Sequence, residues 1–291
     1  MKIHVQSSPL RYPGGKQVLS NAIARIIEAN GLEGCVYAEP YAGGAGAALT
    51  LLYSEHASKL WINDADPCIF SFWRSVLNRT EEFLRLVRDT PLTIAQWRRQ
   101  RERYRAHNQE SQLRVGFATF YLNRTNRSGI ISDGGVIGGL EQKGRWKMDA
   151  RFNRSELIRR LSRVALYRDR ITVTNMDALD FMRDRLEPLA QEVPGRVFAY
   201  LDPPYWSKGS DLYLNYYTRA DHEALASYLR NRKSFLWILT YDRSRSIVDL
   251  YRWARQFGFR LPYSAHRRRD GRELLVVARE LNLPNSWRVN I

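Results

Sequence analysis

Cysteine and histidine are scarce in this sequence, which has two cysteines, Cys35 and Cys68, and five scattered histidines among 291 residues. Neither residue type recurs at the spacing of metal ligands, so the sequence predicts no metal site. Both cysteines lie in apolar segments, and we expect them to be buried thiols.

Long hydrophobic runs are absent as well. No apolar segment approaches the roughly 18 residues that a membrane-spanning helix needs. The first segment, "MKIHVQSSPL", lacks the apolar stretch of a secretory signal. We therefore expect a cytoplasmic protein with no membrane partner.

Phosphate-binding glycine motifs are missing too. The sequence contains neither the GxGxxG fingerprint of dinucleotide-binding folds nor a Walker-type loop. Both motifs hold phosphates on backbone N–H groups, so their absence disfavours a nicotinamide-dependent dehydrogenase and an ATP-dependent enzyme.

Positive charge is what the sequence has in excess. Lysine and arginine number 46 against 30 acidic residues, which gives a net charge of +16. Residues 66–170 hold 22 basic and 11 acidic side chains, whereas the other 186 residues contribute only +5. Guanidinium groups bind phosphates and guanine edges, so this clustering favours a nucleic-acid surface over charge that serves solubility alone.

Short runs rich in β-branched and aromatic residues occur towards both ends of the chain, separated by helical patterns. They predict strands within residues 34–40, 59–66, 170–182, 196–205 and 233–242. Strands that alternate with helices indicate a mostly parallel sheet, whose ligands bind beyond the carboxyl ends of the strands.

The middle of the chain has helical periodicity with many arginines and leads into a glycine-rich loop, residues 127–139. We therefore predict an α/β domain in two parts, residues 1–65 and 171–291, interrupted by a helical domain over residues 66–170. Two strand-like runs near the end of the chain predict a hairpin that turns at Asp270-Gly271.

A glycine turn, "AEPYAGGAGA", follows the first predicted strand, and Asp64 ends the second strand 21 residues beyond Gly43. Glycines at such a turn let the backbone pass close to a ligand, and a strand-end acid is suited to a ribose. Together they indicate a nucleoside ligand without a required phosphate, a description that S-adenosylmethionine fits.

The segment "VFAYLDPPYWSKG", residues 197–209, ends a predicted strand on Asp202, Pro203, Pro204 and Tyr205. An acid there suits methylation of a nucleobase amine, because accepting from the N–H frees a lone pair that is otherwise delocalised into the ring. Prolines remove N–H donors and leave carbonyls, and an aromatic ring can stack on a base rotated out of the duplex. The alternative is a tight turn after a buried strand.

These motifs resemble, in order, those of the Dam-type DNA adenine-N6 methyltransferases. The matching segments are "PLRYPGGKQ", "AEPYAGGAG", "IND", "FYLNRTNRSG", "NMDALDF" and "LDPPY". The resemblance implies a class I (Rossmann-like) methyltransferase sheet with an inserted helical DNA-recognition domain. It also implies transfer of a methyl group from S-adenosylmethionine to N6 of a flipped adenine in double-stranded DNA.

The resemblance assigns roles to residues of this sequence. The expected catalytic residues are Asp202, Pro203, Pro204 and Tyr205. The expected cofactor-binding residues are Tyr12, Lys16, Glu39, Pro40, Tyr41, Gly43, Gly44, Asp64, Asp177 and Asp202. The expected DNA-binding residues are Asn123, Arg124 and Arg127. The two arginines either form bidentate hydrogen bonds with guanine or bind phosphate.

Several alternatives stay open at this point. The Asp-Pro-Pro-Tyr motif also suits cytosine N4, adenine in RNA or a protein glutamine, and a DNA-binding protein without turnover is a further option. The turn reads Tyr41-Ala42-Gly43-Gly44-Ala45-Gly46. Its shifted second glycine leaves open which residue meets the methionine end of the cofactor. The recognition sequence, a cognate restriction nuclease and the oligomeric state are open too.

Overall fold

A computed structural model of the chain describes residues 6–11, 16–206, 217–231, 234–262 and 270–284. These residues form two compact units. The sheet unit contains the described residues of 16–65 and 174–284. The helical unit contains residues 66–173 together with residues 6–11.

Seven strands form a single sheet within the described residues. The strands are β1 (Cys35–Glu39), β2 (Ala57–Asn63), β3 (Ile171–Thr174), β4 (Val197–Leu201), β5 (Leu236–Asp242), β6 (Arg255–Pro262) and β7 (Asp270–Val277). Their order across the sheet is β3-β2-β1-β4-β5-β7-β6. β1 pairs in parallel with β2 and β4, and β4 with β5, whereas β7 runs antiparallel to β5 and β6.

The predicted α/β fold is confirmed, since this is a mostly parallel Rossmann-like sheet. The two central strands are buried along their whole length, as their nearly continuous apolar sequences "CVYAE" and "VFAYL" require. Because β1 and β4 are parallel neighbours near the centre of the sheet, the residues that follow them lie together at the carboxyl ends of the strands.

Eleven α-helices accompany the strands in the described residues. They are α1 (Ser20–Ala29), α2 (Gly46–Tyr53), α3 (Pro67–Asn78), α4 (Thr80–Asp89), α5 (Ile94–Arg105), α6 (Gln112–Thr125), α7 (Arg154–Leu166), α8 (Ala178–Phe181), α9 (Glu187–Glu192), α10 (Arg219–Arg230) and α11 (Arg245–Leu250). Several of these helices have a capping side chain at their N-terminus. In α3, for example, the Asp66 carboxylate accepts from the Cys68 N–H, and Pro67 occupies the first turn. None of the described helices is both long and apolar enough to cross a membrane.

Helices α3 to α7 make up most of the helical unit, and aromatic rings fill its core. Phe72 stacks on Phe120, and Phe83 packs edge-on against both. Helix α6 approaches α3 closely, because a Cβ on Gly116 would lie only 2.5 Å from the Ser71 carbonyl oxygen. A glycine is therefore required where these two helices pack.

Residues 6–11 join the helical unit through specific bonds, although the sequence analysis assigned residues 1–65 to the α/β domain. The Asn123 side chain accepts from the Arg11 N–H (2.7 Å) and donates to the Arg11 carbonyl (2.7 Å). Arg160 donates to the Ser8 carbonyl (3.3 Å). These contacts connect positions more than 100 residues apart, which local sequence patterns do not reveal.

One local prediction was wrong, and one strand is shorter than the segment within which it was predicted. Asp270 and Gly271 are not the hairpin turn: they belong to β7, where they pair with Pro262 and Leu261 of β6. The residues that join β6 to β7, 263–269, lie outside the described residues. The strand predicted within 170–182 covers only Ile171–Thr174, because the Asp177 side chain caps a helix that begins at Ala178.

Candidate active site

The carboxyl ends of β1, β2 and β3 are tied together by one buried side chain, Asn63, the last residue of β2. Its Nδ2 donates to the carbonyls of Pro40 and Met176, both at 3.0 Å. Its Oδ1 accepts from the Met176 N–H (3.0 Å) and the Thr174 hydroxyl (2.8 Å). These four bonds fix the segments that carry the predicted cofactor residues.

The glycine turn after β1 meets the acid after β2. The Gly43 N–H donates to Asp64 Oδ2 at 2.8 Å, and the Ala42 N–H donates to the Asn63 carbonyl at 2.9 Å. Gly43 has a φ of +47°, and Ala45 adopts the same left-handed region at 46° immediately before α2. The structure thus brings Gly43 and Asp64 into one site.

Glu39 ends β1 and is buried, as are Pro40 and Gly44 beyond it. Its Oε1 accepts from the Ala48 N–H in the first turn of α2 (3.0 Å) and from the Tyr37 hydroxyl (3.2 Å). Helix α2 has no capping side chain of its own, so Glu39 supplies the missing acceptor. Burial raises the pKa of Glu39 to about 8, and the nearby Asp202 charge adds to this effect.

Tyr41 contacts Tyr217, a residue that no sequence motif singled out. The hydroxyls of Tyr41 and Tyr217 are 2.7 Å apart, and their rings pack edge-on. Burial raises the pKa of Tyr217, and the Asp177 charge raises it further. Asp177 itself is exposed, and its Oδ1 accepts from the Leu179 N–H at 2.8 Å.

Asp202 follows β4, in the middle of the sheet edge. Its Oδ1 accepts from the Thr240 hydroxyl of β5 at 2.7 Å, and that hydroxyl lies 2.8 Å from the Tyr200 hydroxyl. Pro203 is buried, whereas Asp202 and Pro204 are partly exposed. A backbone stretch without N–H donors therefore follows an oriented carboxylate at a strand end.

Tyr205 and Trp206 are held by acids on neighbouring strands. The Tyr205 hydroxyl donates to Glu273 Oε1 of β7 at 3.2 Å, and the Trp206 N–H donates to Asp242 Oδ1 at 3.3 Å. The Trp206 ring lies 5.0 Å from that of His222, which is buried. Burial lowers the pKa of His222 to about 4, so its ring is neutral near pH 7.

In the helical unit, Asn123 and Arg124 are buried at the end of α6. Asn123 holds the backbone of Arg11 and also donates to the Gly129 carbonyl at 3.0 Å. Arg124 donates through Nε to the Arg151 carbonyl at 2.8 Å. Burial lowers the pKa of Arg124 to about 9, with the positive charges of Arg11, Arg160 and Arg151 adding to the effect.

Arg127 is exposed and lines a pocket of about 400 Å³ between α5 and the glycine-rich loop. Arg98, Arg101 and Arg105 line the same pocket, spaced along one face of α5. None of these four arginines forms an ion pair with a described residue, and the Nε of Arg101 has no hydrogen-bond partner there. We call these residues the α5 pocket.

Two predicted cofactor residues receive no side-chain description. Tyr12 lies outside the described residues, and of Lys16 only the backbone is described. No group of three or more histidine, cysteine, aspartate or glutamate side chains gathers as a metal site would require in the part of the chain that the structure describes.

The fold and the strand-end residues together define a Rossmann-like methyltransferase, with a glycine turn after β1, acids after β2 and β3, and Asp-Pro-Pro-Tyr after β4. The chain belongs to the D12 class N6 adenine-specific DNA methyltransferase family, whose model matches residues 12–256. It is therefore an enzyme that methylates adenine in DNA. Among the target amines that the sequence left open, this family membership selects the adenine amine in DNA. A search among curated proteins found no match.

Proposed function

We propose that this enzyme transfers the methyl group of S-adenosylmethionine to N6 of an adenine that is flipped out of double-stranded DNA. One observation carries the proposal: the oriented carboxylate of Asp202, followed by two prolines and Tyr205, at the strand end next to the glycine turn of β1. Family membership supports adenine in DNA as the target.

The residues beyond β1, β2 and β3 fit the cofactor. Gly43 has a positive φ and no side chain, and its N–H orients Asp64 for a ribose. Asp177 is exposed at the neighbouring strand end and is suited to an adenine amine. Tyr12, Lys16, Glu39, Pro40, Tyr41 and Gly44 complete the proposed set. When bound, the cofactor supplies an electrophilic methyl group on a sulfonium.

The residues after β4 act on the target amine. Asp202 accepts a hydrogen bond from the N6 amine, and the Pro203 carbonyl accepts the second N–H. Both bonds favour a tetrahedral nitrogen whose lone pair is available for attack. Tyr205 stacks on the flipped base while Pro204 keeps the backbone rigid. The nitrogen gives its surplus proton to water after the transfer, so Asp202 need not be a strong base.

The α5 pocket is the surface that we propose for duplex DNA. Its three exposed arginines, Arg98, Arg105 and Arg127, are available to phosphates or guanine edges, because none of them forms an ion pair with a described residue. One carboxylate, Glu102, lines the same pocket, which still carries a net positive charge. Asn123 and Arg124 have a supporting task, since their bonds hold the N-terminal segment and the loop that begins after α6.

The test uses purified protein, S-adenosylmethionine and unmethylated duplex DNA of mixed sequence, with nucleosides from the digested DNA analysed by mass spectrometry. We expect N6-methyladenine as the product. Asp202→Ala should reduce turnover by at least about 10²-fold while DNA affinity stays nearly unchanged. Asp249→Ala, an exposed acid of α11, is the control and should retain full activity.

Each contrary result identifies the part that fails. N4-methylcytosine as the product would overturn the assigned base. Methylation of RNA alone would overturn duplex DNA as the substrate. A fully active Asp202→Ala variant would remove this aspartate from the mechanism.

A further inference from the structure

Two hydroxyl groups lie behind the Asp202 carboxylate, and the sheet register brings them there. Residues two apart on a strand share a face, so Tyr200 and Asp202 point to the same side of β4. Leu201 pairs with Leu239 of β5, which places the next residue, Thr240, beside Asp202. The three polar groups form a chain of hydrogen bonds of 2.8 Å and 2.7 Å.

Hydrogen-bond chemistry gives this chain a direction. An ionised carboxylate only accepts, so the single hydroxyl proton of Thr240 is donated to Asp202 Oδ1. Thr240 then has no second proton for Tyr200, and the Tyr200 phenol must be the donor to Thr240 Oγ1. The protons of both hydroxyls therefore point towards the carboxylate.

The surroundings keep this direction fixed. Thr240 is 0% exposed and Tyr200 is 3% exposed, so neither hydroxyl has water as an alternative partner. Burial raises the pKa of Tyr200 well above its ordinary value, and the Asp202 charge raises it further. The phenol therefore stays protonated and remains a donor over the working pH range.

We propose that Tyr200 and Thr240 are positioning residues for methyl transfer, and that their hydroxyl relay fixes the rotamer of Asp202 so that its remaining acceptor capacity faces the target amine. This inference rests on the proposed catalytic role of Asp202. An ionised carboxylate accepts about four hydrogen bonds, and the relay bond uses one of these positions.

The test compares single-turnover rates of methyl transfer, measured with enzyme in excess over DNA so that product release does not limit the rate. Thr240→Val keeps the shape and removes the donor, and we expect a rate about 10- to 100-fold lower with DNA affinity changed by less than about 3-fold. Thr240→Ser restores the hydroxyl and should recover to within about 3-fold. Tyr200→Phe should lose about 3- to 10-fold, because Thr240 still donates to Asp202.

The pH profile gives a readout that loss of packing would not change. A hydrogen bond donated to a carboxylate favours its charged form. Thr240→Val is therefore expected to move the acidic limb of the pH–rate profile upward by roughly half to one pH unit, and Thr240→Ser should return it.

Matched controls make the same substitutions away from Asp202. Thr119 is equally buried and donates to the Val115 carbonyl at 2.9 Å. Tyr228 donates to Glu187 at 2.6 Å. Thr119→Val and Tyr228→Phe should leave the single-turnover rate and the pH profile unchanged.

Asp202→Asn is the reference that separates the two proposals. If Asp202→Asn is inactive but Thr240→Val and Tyr200→Phe transfer methyl groups at the wild-type rate, the relay has no positioning role. If Asp202→Asn is fully active, the proposed function itself fails at this residue. If Thr240→Val does not fold, Tyr200→Phe decides: a wild-type rate in that variant overturns the relay.

Discussion

Glu39 is an acid whose environment opposes its charge. Its carboxyl group is buried beside Asp202, and the two hydrogen bonds that it accepts offset only part of the desolvation cost. The folded protein therefore binds a proton at Glu39 over a pH range in which the unfolded chain has released it.

This proton gives a testable pH dependence of stability. Between the ordinary glutamate pKa of 4.5 and the folded-state pKa of about 8, the folded state holds more protons than the unfolded state. The free energy of unfolding should therefore fall as the pH rises through this window, by an amount on the order of a few kcal/mol. Denaturant unfolding of the cofactor-free protein at intervals from pH 5 to pH 8.5 measures it.

Glu39→Gln is the comparison, because the amide keeps an acceptor for Ala48 and Tyr37 but does not ionise. Its stability should change less with pH over the same window. Equal slopes in the two proteins would show that Glu39 is charged in the folded state. His222 contributes in the lower part of this window with the opposite sign, because its lowered pKa costs stability as the pH falls from about 6.5 towards 4. The Glu39 effect is therefore read above about pH 6.5.

At the scale of elements, the site lies at the carboxyl ends of the parallel strands. The Asn63 side chain connects the ends of three of them, β1, β2 and β3. It makes four hydrogen bonds and is 1% exposed, so no water replaces a lost partner. Truncating this side chain removes the partner of the buried Pro40 carbonyl and of the partly buried N–H and carbonyl of Met176.

We expect Asn63→Ala to lower the free energy of unfolding by about 2–4 kcal/mol and to weaken binding of S-adenosylhomocysteine by at least about 10-fold. Asn30→Ala is the control: Asn30 also ties two backbone segments, by bonds to the Ile26 and Asn282 carbonyls. It should cost stability but leave the affinity unchanged. Calorimetric titration and denaturant unfolding measure both quantities, and equal affinities in the two variants would contradict the role of Asn63.

Elements and strand ends could be predicted because their signals are local. The runs "CVYAE" and "VFAYL" show β1 and β4 as buried strands, with Glu39 as the last residue of β1 and Asp202 directly after β4. The side chains that orient the site could not be predicted. Thr240 meets Asp202 across 38 positions and Glu273 meets Tyr205 across 68, so only the folded sheet brings these partners together.

Sequence motifs also do not show which arginines of the helical unit are exposed. The segment "FYLNRTNRSG" predicts DNA contacts by Asn123 and Arg124. In the structure both side chains are buried and donate to backbone carbonyls. The exposed arginines of α5 carry no motif, and their common face appears only when the helix is built. Arg127 alone belongs both to the motif and to the α5 pocket.

At the scale of the whole molecule, a net charge of +16 predicts DNA affinity that falls steeply with salt. Arg98→Ala, Arg105→Ala and Arg127→Ala should each weaken DNA binding. A phosphate contact would reduce the salt slope by about one and lower affinity for all sequences alike. A guanine contact would cost about 1–3 kcal/mol and relax specificity at one position.

Fluorescence anisotropy over a series of salt concentrations measures these effects. Arg114→Ala is the control, because this exposed arginine of α6 already pairs with Glu110. Wild-type affinity and slope in all three pocket variants would remove the α5 pocket from the DNA surface.

The sheet order also sets the sequence of events during synthesis of the chain. β1 pairs with β4 through Val36 and Val197, about 160 residues apart, and the described helical unit lies entirely before β4. At ribosomal rates of about 5–20 residues per second, β1 waits roughly 10 to 30 seconds for this partner. The helical unit can thus be complete while the central sheet still has an open apolar edge. The proposed active site is therefore completed late in synthesis, when β4 pairs with β1 and places Asp202 at the strand ends.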